Sequence, residues 1–337
     1  MVFVPELTCQ TLVRCYFFCI FAVSNMIRDI GQMTDNETVE RMRQSLKEGF
    51  STPVYVNFTT WKKREMVVPT MLSHFSHQTF KPTKIICWLS ISEYHHTIPQ
   101  HVQECLDNHL LDEVRWVRGN TYCHKRWEAF KYYGDGYNLM IDDDLYYPED
   151  YVETLLAYSL AYPRTVVCYY GRRSIYKQGE WSHETYIPEP SHQNEFYSGL
   201  CCFAPGLLPP DVLRHRWKRT LYCYKCDDSW VKAWLIKNDI PVIGCRVWYK
   251  GCFNPIENTQ SVGIWETLNG LVDHAVIKKY TTLCDALYHL GAAQEGERVW
   301  PGMNISLYRT SLRNGLSSVV PISLRRQILH TIKGIKS

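Results

Sequence analysis

The chain lacks any charge-free apolar run long enough to cross a bilayer. Its best candidate, LVRCYFFCIFAV at 12–23, is broken by Arg14 and is shorter than the ~20 residues a spanning helix needs. No basic segment precedes that stretch and no convincing cleavage site follows it, so a packing helix is expected there rather than a signal peptide. Charge of one sign is also missing. The 37 Lys and Arg nearly balance 34 Asp and Glu, leaving +3, too weak a field to make nucleic acid the main partner. Internal repeats and low-complexity tracts are absent. Cys223 and Cys226 have zinc-like spacing, but the second pair that a structural zinc site needs is lacking, since Cys201 and Cys202 are adjacent.

What is present is a folded, globular composition: 337 residues, 45% hydrophobic and 14% aromatic. Length allows one sizeable α/β domain with additions, or two small domains. The 14 cysteines are scattered, several inside apolar runs (Cys87 in KIICWL, Cys168 in TVVCYY, Cys245 in PVIGC). That is the pattern of buried, reduced thiols, and it leads us to expect a cytoplasmic protein. The sequons at Asn36, Asn57 and Asn304 say little about compartment, because Asn57 lies in the strand-like VYVNF, where no glycan would fit.

Apolar patterning organises the chain. NETVERMRQSLKEGF reads as an exposed helical extension. TPVYVNF, KPTKIICWLS, EVRWV and YNLMI read as strands, with REMVVPTMLSHFSHQT, IPQHVQECLDNHL and HKRWEAFKYYG as helices between them. PEDYVETLLAYSLAY is a helix with Pro148 at its first position. TVVCYYGRRS is a strand, SGLCCFAPGLLPP a Gly/Pro-punctuated loop, and KCDDSWVKAWLIKNDIPVIG a helix feeding a strand. Strands alternating with helices of this length imply βαβ units and a mainly parallel sheet covered on both faces. Three regions are expected: an extension at 1–50, the α/β domain at 51–262, and a helical region at 263–337.

Two acidic groups stand out. Asp142, Asp143 and Asp144 follow the apolar YNLMI directly, where adjacent carboxylates repel unless something cationic joins them. A solvated turn with one helix-capping aspartate is the plain alternative. The position decides for a metal, because ligands of such sheets bind outside the carboxyl ends of the strands. Carboxylate oxygens suit Mg²⁺ or Mn²⁺, metals that usually bind a diphosphate as well. Asp227 and Asp228 form the second group, at a helix start, where one of them can serve as a carboxylate base or as a cap. A metal that neutralises a departing diphosphate, paired with a base that deprotonates a hydroxyl, is the chemistry of sugar transfer from a nucleotide-diphosphate sugar. Two other readings use the same residues: a metal-dependent phosphoesterase or nuclease, and a nucleotide-sugar-binding protein without catalysis.

Taken together, TTWKKRE, KPTKIICWLS, IDDDLYYPEDYVE, SGLCCFAPGLLPP and DDSWVKAWLIKNDIPV resemble, in order and spacing over residues 53–260, a GT-A fold glycosyltransferase of the family 2 type. A weaker echo continues in QSVGIWETLNG. The resemblance implies an inverting enzyme with a GT-A (Rossmann-like) sheet. It implies that the acidic run is the Asp-x-Asp motif, with one aspartate on the ribose and another on the metal. The literal pattern selects Asp142 and Asp144, whereas counting back from Pro148 favours Asp143 as the ligand. We assign Asp142 to the nucleotide and Asp143 and Asp144 to the metal. Thr59, Thr60 and Arg64 match positions that contact the nucleotide base, Ser90 and Ser92 line the same pocket, and Lys125 with Arg126 approaches the diphosphate. Asp228 is the preferred base, with Asp227 beside it. The acceptor is a glycan, a lipid-linked sugar or a protein, set by loops such as GNTYCHKRWEAF and SGLCCF that depart from the family pattern. The tail PISLRRQILHTIKGIKS, apolar at 322, 324, 328, 329, 332 and 335 and basic at 325, 326, 333 and 336, forms an amphipathic helix. It would either dock on the domain or touch an anionic membrane surface.

Overall fold

The computed structural model describes residues 37–177, 180–223 and 225–263, together with Leu283, Ala286, Leu287, Leu290 and Gly291. The stretch at 12–23 and the tail expected to be helical lie outside the described residues. Strands β1 (Val54–Thr59), β2 (Lys84–Ser90), β3 (Glu113–Val117) and β4 (Tyr137–Ile141) are the four expected from the first half of the sequence. Strands β5 (Val166–Gly171), β8 (Leu200–Phe203) and β9 (Val242–Val247) complete a seven-stranded sheet in the order β3-β2-β1-β4-β8-β5-β9. A separate hairpin pairs β6 (Arg173–Lys177) with β7 (Glu180–Glu184). Within the seven-stranded sheet all pairings are parallel except those of β8, which runs antiparallel to both β4 and β5. The mainly parallel, helix-flanked sheet expected from the sequence is therefore present.

Side-chain alternation along the strands builds a core on each face of the sheet. From β4, Leu139 and Ile141 join the core closed by the helices Val68–Phe75 and Tyr151–Ala161. Met140, between them, joins Trp88, Trp127 and Trp230 on the other face. Asn57 sits in β1 fully buried, taking a hydrogen bond from Trp88 Nε1 at 3.0 Å and donating to Asn138 Oδ1 at 3.1 Å.

Four local expectations are corrected. The helix Glu37–Glu48 is not an exposed extension: Val39 and Leu46 are buried, and Arg43 donates to Thr154 Oγ1 at 3.0 Å on the helix Tyr151–Ala161. That second helix begins at Tyr151, so Pro148 sits in the turn before it, where its carbonyl accepts from Tyr151 N at 3.1 Å. HKRWEAFKYYG belongs to a 3₁₀ segment, Tyr122–Lys131, not an α-helix. SGLCCFAPGLLPP is not all loop, because Leu200–Phe203 is a fully buried central strand.

Sheet order places the site. From β1 the chain proceeds to β2 and β3 on one side and then crosses to β4 on the other, so a crevice opens at the carboxyl ends of β1 and β4. Because β8 is antiparallel, the residues just before it reach the same rim: Ile141 is in register with Leu200, bringing Ser198 and Gly199 beside Asp142.

Candidate active site

Strand β4 is buried at every position and ends at Ile141, so the three aspartates emerge at the crevice. Tyr147 fixes their loop. Its hydroxyl accepts from Asp142 N at 2.7 Å and lies 3.2 Å from both the Asp142 and Gly199 carbonyls. Ile256 N donates to Asp144 O at 2.8 Å, tying the far side of the loop. The three side chains differ in environment. Asp143 is fully buried, Asp144 is 8% exposed, and the Asp142 side chain is 38% exposed. The plain turn, with its carboxylates in solvent, is not what forms.

Arg64 meets this cluster from the turn that follows β1. One terminal nitrogen lies 2.6 Å from Asp143 Oδ1 and the other 2.5 Å from Asp144 Oδ2, an oxygen that also accepts from Gln260 Nε2 at 3.1 Å. Arg64 therefore points at the acidic loop rather than at a base pocket. Burial raises the Asp143 carboxyl above its ordinary value, against the pull of Arg64. Asp144 is pushed up to about 7, first by burial and then by the neighbouring Asp143, which together outweigh Arg64.

Arg126 joins the two acidic groups, and its side chain is only 3% exposed. One terminal nitrogen donates to Ile141 O at 3.0 Å and to Asp142 Oδ1 at 2.6 Å, and the other donates to Ser198 Oγ at 2.9 Å and Asp227 Oδ2 at 3.0 Å. Its Nε reaches the same Asp227 oxygen at 3.2 Å. Asp227 also accepts from Trp127 Nε1 at 2.9 Å and from Ser198 Oγ at 2.9 Å. Burial alone would raise the Asp227 carboxyl, but Arg126, helped by His124 and the Trp127 hydrogen bond, holds it far below the usual carboxylate range. Four side-chain donors leave Asp227 little capacity to take a proton. Asp228, next to it in the first turn of the helix Asp227–Lys237, is only half-buried and accepts from Ser198 N at 2.6 Å through Oδ1.

The remaining sequence candidates line the rims of β1 and β2. Thr59 Oγ1 donates to Trp88 O at 2.7 Å, Thr60 is buried, and the Ser90 and Ser92 hydroxyls are 2.9 Å apart. Lys125 is not a solvated helix residue. It is 2% exposed, donates to Thr60 O at 3.1 Å, and stands 4.0 Å from Glu93 Oε2. Burial lowers its ammonium pKa, partly offset by Glu93. The structure thus gathers Thr60, Arg64, Lys125, the three aspartates and Asp227–Asp228 around one crevice, with Thr59, Ser90 and Ser92 along its β1–β2 edge.

Sequence reasoning missed Tyr147, Ser198, Gly199, Gln260 and the depth of Arg126. A Cβ on Gly199 would lie 1.9 Å from Asp142 Oδ2, so glycine is what lets the Asp142 side chain lie where it does, against Arg126. Gln260 begins the weaker echo QSVGIWETLNG, which was the one signal available for it.

Among the described residues no three His, Cys, Asp or Glu side chains converge as a ready metal cage. The donor set nevertheless suits Mg²⁺ or Mn²⁺, which is commonly held by one or two carboxylates with phosphates and water completing the shell. Asp143 and Asp144 offer such a pair. Asp143 Oδ2 is buried and takes no hydrogen bond, although the nearby Thr60 hydroxyl favours its charged form. Cys223 is buried, and Cys226 Sγ lies 3.1 Å from Ser229 Oγ. No helix among the described residues is long and apolar enough to cross a membrane.

No family model and no curated protein matches the chain. Among solved structures it is similar to the mannosyltransferase PcManGT from Pyrobaculum calidifontis in complex with GDP-Man and Mn²⁺, with 13% identity and a TM-score of 0.44 over 88% of this chain and 86% of that one.

Proposed function

We propose that the protein is a GT-A type glycosyltransferase that moves a sugar from a nucleotide-diphosphate donor to an acceptor hydroxyl with inversion. The observation that carries this is Arg126. It ties the Asp142 end of the acidic loop to Asp227, one residue from Asp228, in the crevice where the sheet order reverses. A donor site and a base are thereby held as one rigid unit, as a transfer between two bound substrates requires.

In this reading Asp142, the most open of the three aspartates, takes the ribose hydroxyls, and Thr59, Thr60, Ser90 and Ser92 bound the base pocket. Mn²⁺ or Mg²⁺ on Asp143 and Asp144 would supply neutralisation of the departing diphosphate. Lys125 shapes the pocket floor through Thr60 rather than meeting phosphate directly. Asp228 removes the acceptor proton. It keeps one oxygen on Ser198 N at the start of the helix Asp227–Lys237, and its advantage as a base is proximity.

The test has two arms. Uridine or guanosine diphosphate with Mn²⁺ should raise the melting temperature of the purified protein. Asp228→Asn should abolish transfer and slow donor hydrolysis while keeping that thermal shift. Absence of any shift with either nucleotide would refute the donor site, and full activity in Asp228→Asn would refute the base.

A further inference from the structure

Arg64 and Arg126 face the same carboxylate cluster but are held very differently. Arg126 is fixed by five hydrogen bonds to four groups, three of them outside the acidic loop. The Arg64 guanidinium touches only the Asp143 and Asp144 carboxylates among the described residues, and its buried Nε has no partner. Its backbone, by contrast, is anchored: Arg64 N donates to Trp61 O at 2.8 Å and Val67 N to Arg64 O at 3.0 Å, while Glu93 accepts from Lys62 N at 3.1 Å. The side chain can leave the carboxylates while its root stays at the crevice. Between Asp143 and Asp144 there is room for one cation, because a guanidinium and a divalent ion sharing the same two carboxylates would repel each other.

We propose that Arg64 is a displaceable counter-ion, which holds the Asp143 and Asp144 carboxylates until a divalent cation takes them and then lends its freed guanidinium to the donor diphosphate. The proposal rests on the glycosyltransferase reading above. Guanidinium forks pair with phosphate oxygens as well as with carboxylates, so the exchange leaves no charge unmatched. Two opposite effects follow from one side chain: Arg64 competes with the metal and assists the nucleotide.

The test is Mn²⁺ chloride titrated alone into the full-length protein, read from the electron paramagnetic resonance signal of the free ion, for wild type, Arg64→Gln and Arg64→Lys. Arg64→Gln should bind Mn²⁺ about tenfold more tightly than wild type, the effect of removing about 1.4 kcal/mol of competition. At saturating Mn²⁺ the same variant should bind the nucleoside diphosphate at least several-fold more weakly. Arg64→Lys keeps a charge but cannot bridge two carboxylates, so it should fall between the two on both scales. If Arg64→Gln unfolds, the comparison of Arg64→Lys with wild type decides. An unchanged or weakened Mn²⁺ affinity in a folded variant overturns the counter-ion role, even if wild type binds both ligands. Absence of Mn²⁺ and nucleotide binding in every protein overturns the donor-site reading and this inference with it.

Discussion

Gly199→Ala is a small change with a sharply defined consequence. Its methyl carbon would sit 1.9 Å from Asp142 Oδ2, 2.2 Å from Cγ and 2.5 Å from Oδ1, well inside contact distance. Gly199 is not in the left-handed region, so alanine meets no backbone strain there and slightly stabilises by restricting the unfolded chain. Strand β8 is locked between β4 and β5, so the part that yields is the partly exposed Asp142 side chain. Rotating it outward breaks its 2.6 Å contact with Arg126, a charge-assisted hydrogen bond of the kind worth ~1.5–3 kcal/mol. Exposure of Asp142 and the entropic gain from alanine bring the net loss to roughly 1–2 kcal/mol, a fall in melting temperature of about 2–8 °C for a domain of this size. Because Asp142 is the proposed ribose contact, affinity for nucleoside diphosphate should drop about tenfold as well. Differential scanning fluorimetry and calorimetric titration measure the two effects, and a double-mutant cycle isolates their cause. In an Asp142→Ala background Gly199→Ala should be close to neutral. If it remains as damaging there, the clash is with something other than the Asp142 carboxylate and the reasoning is wrong.

Other substitutions test the buried charges. Arg126→Met should destabilise by about 3–5 kcal/mol in urea titrations, because it strands the Asp227 carboxylate in the core. A loss under about 1 kcal/mol would mean that Trp127 and Ser198 suffice to hold that charge. His124 is buried with Nε2 2.8 Å from Cys223 O, and burial followed by Arg219 lowers its pKa to about 4. The unfolded chain then takes up the proton first. This contribution to stability is complete above about pH 6.5 and falls by roughly 3 kcal/mol as the pH drops to 4, a slope that His124→Asn should flatten.

The strands were legible where the signal is local. β1, β2, β3, β4, β5 and β9 are short apolar runs bounded by polar or turn-forming residues, and their pairing follows from the helices between them. β8 escaped because its four residues sit among glycine and prolines and it is a strand only by pairing with β4 and β5. The acidic loop was legible because three like charges after a buried strand have few explanations. Arg126 was half legible. HKRWEAFKYY looks like a charged, solvated face, yet Arg126 is buried because its partner Asp227 lies 101 positions away, a pairing that no local pattern encodes. The choice of Asp228 over Asp227 rested on the resemblance, which gives the role to the second position of the pair; no local pattern shows that the Asp227 carboxylate accepts from four donors.

The charges facing the crevice explain why this surface should bind its ligands together. Among the described residues the ion pairs of Asp142, Asp143, Asp144 and Asp227 are with Arg64 and Arg126, and Lys125 is matched instead with Glu93. In the proposed reading a bare diphosphate approaching such a cavity would be repelled, and a bare divalent ion would meet two carboxylates already held by Arg64. Under the proposed exchange, a divalent ion entering with the diphosphate would take the Asp143 and Asp144 carboxylates, and the Arg64 guanidinium released from them would pair with the phosphates. The unfavourable half of each separate event is then offset by the other, which is positive coupling between metal and nucleotide. Such coupling needs one fixed cation and one movable one. Arg126, bound on four sides, and Arg64, bound only to the carboxylates it must leave, meet that requirement.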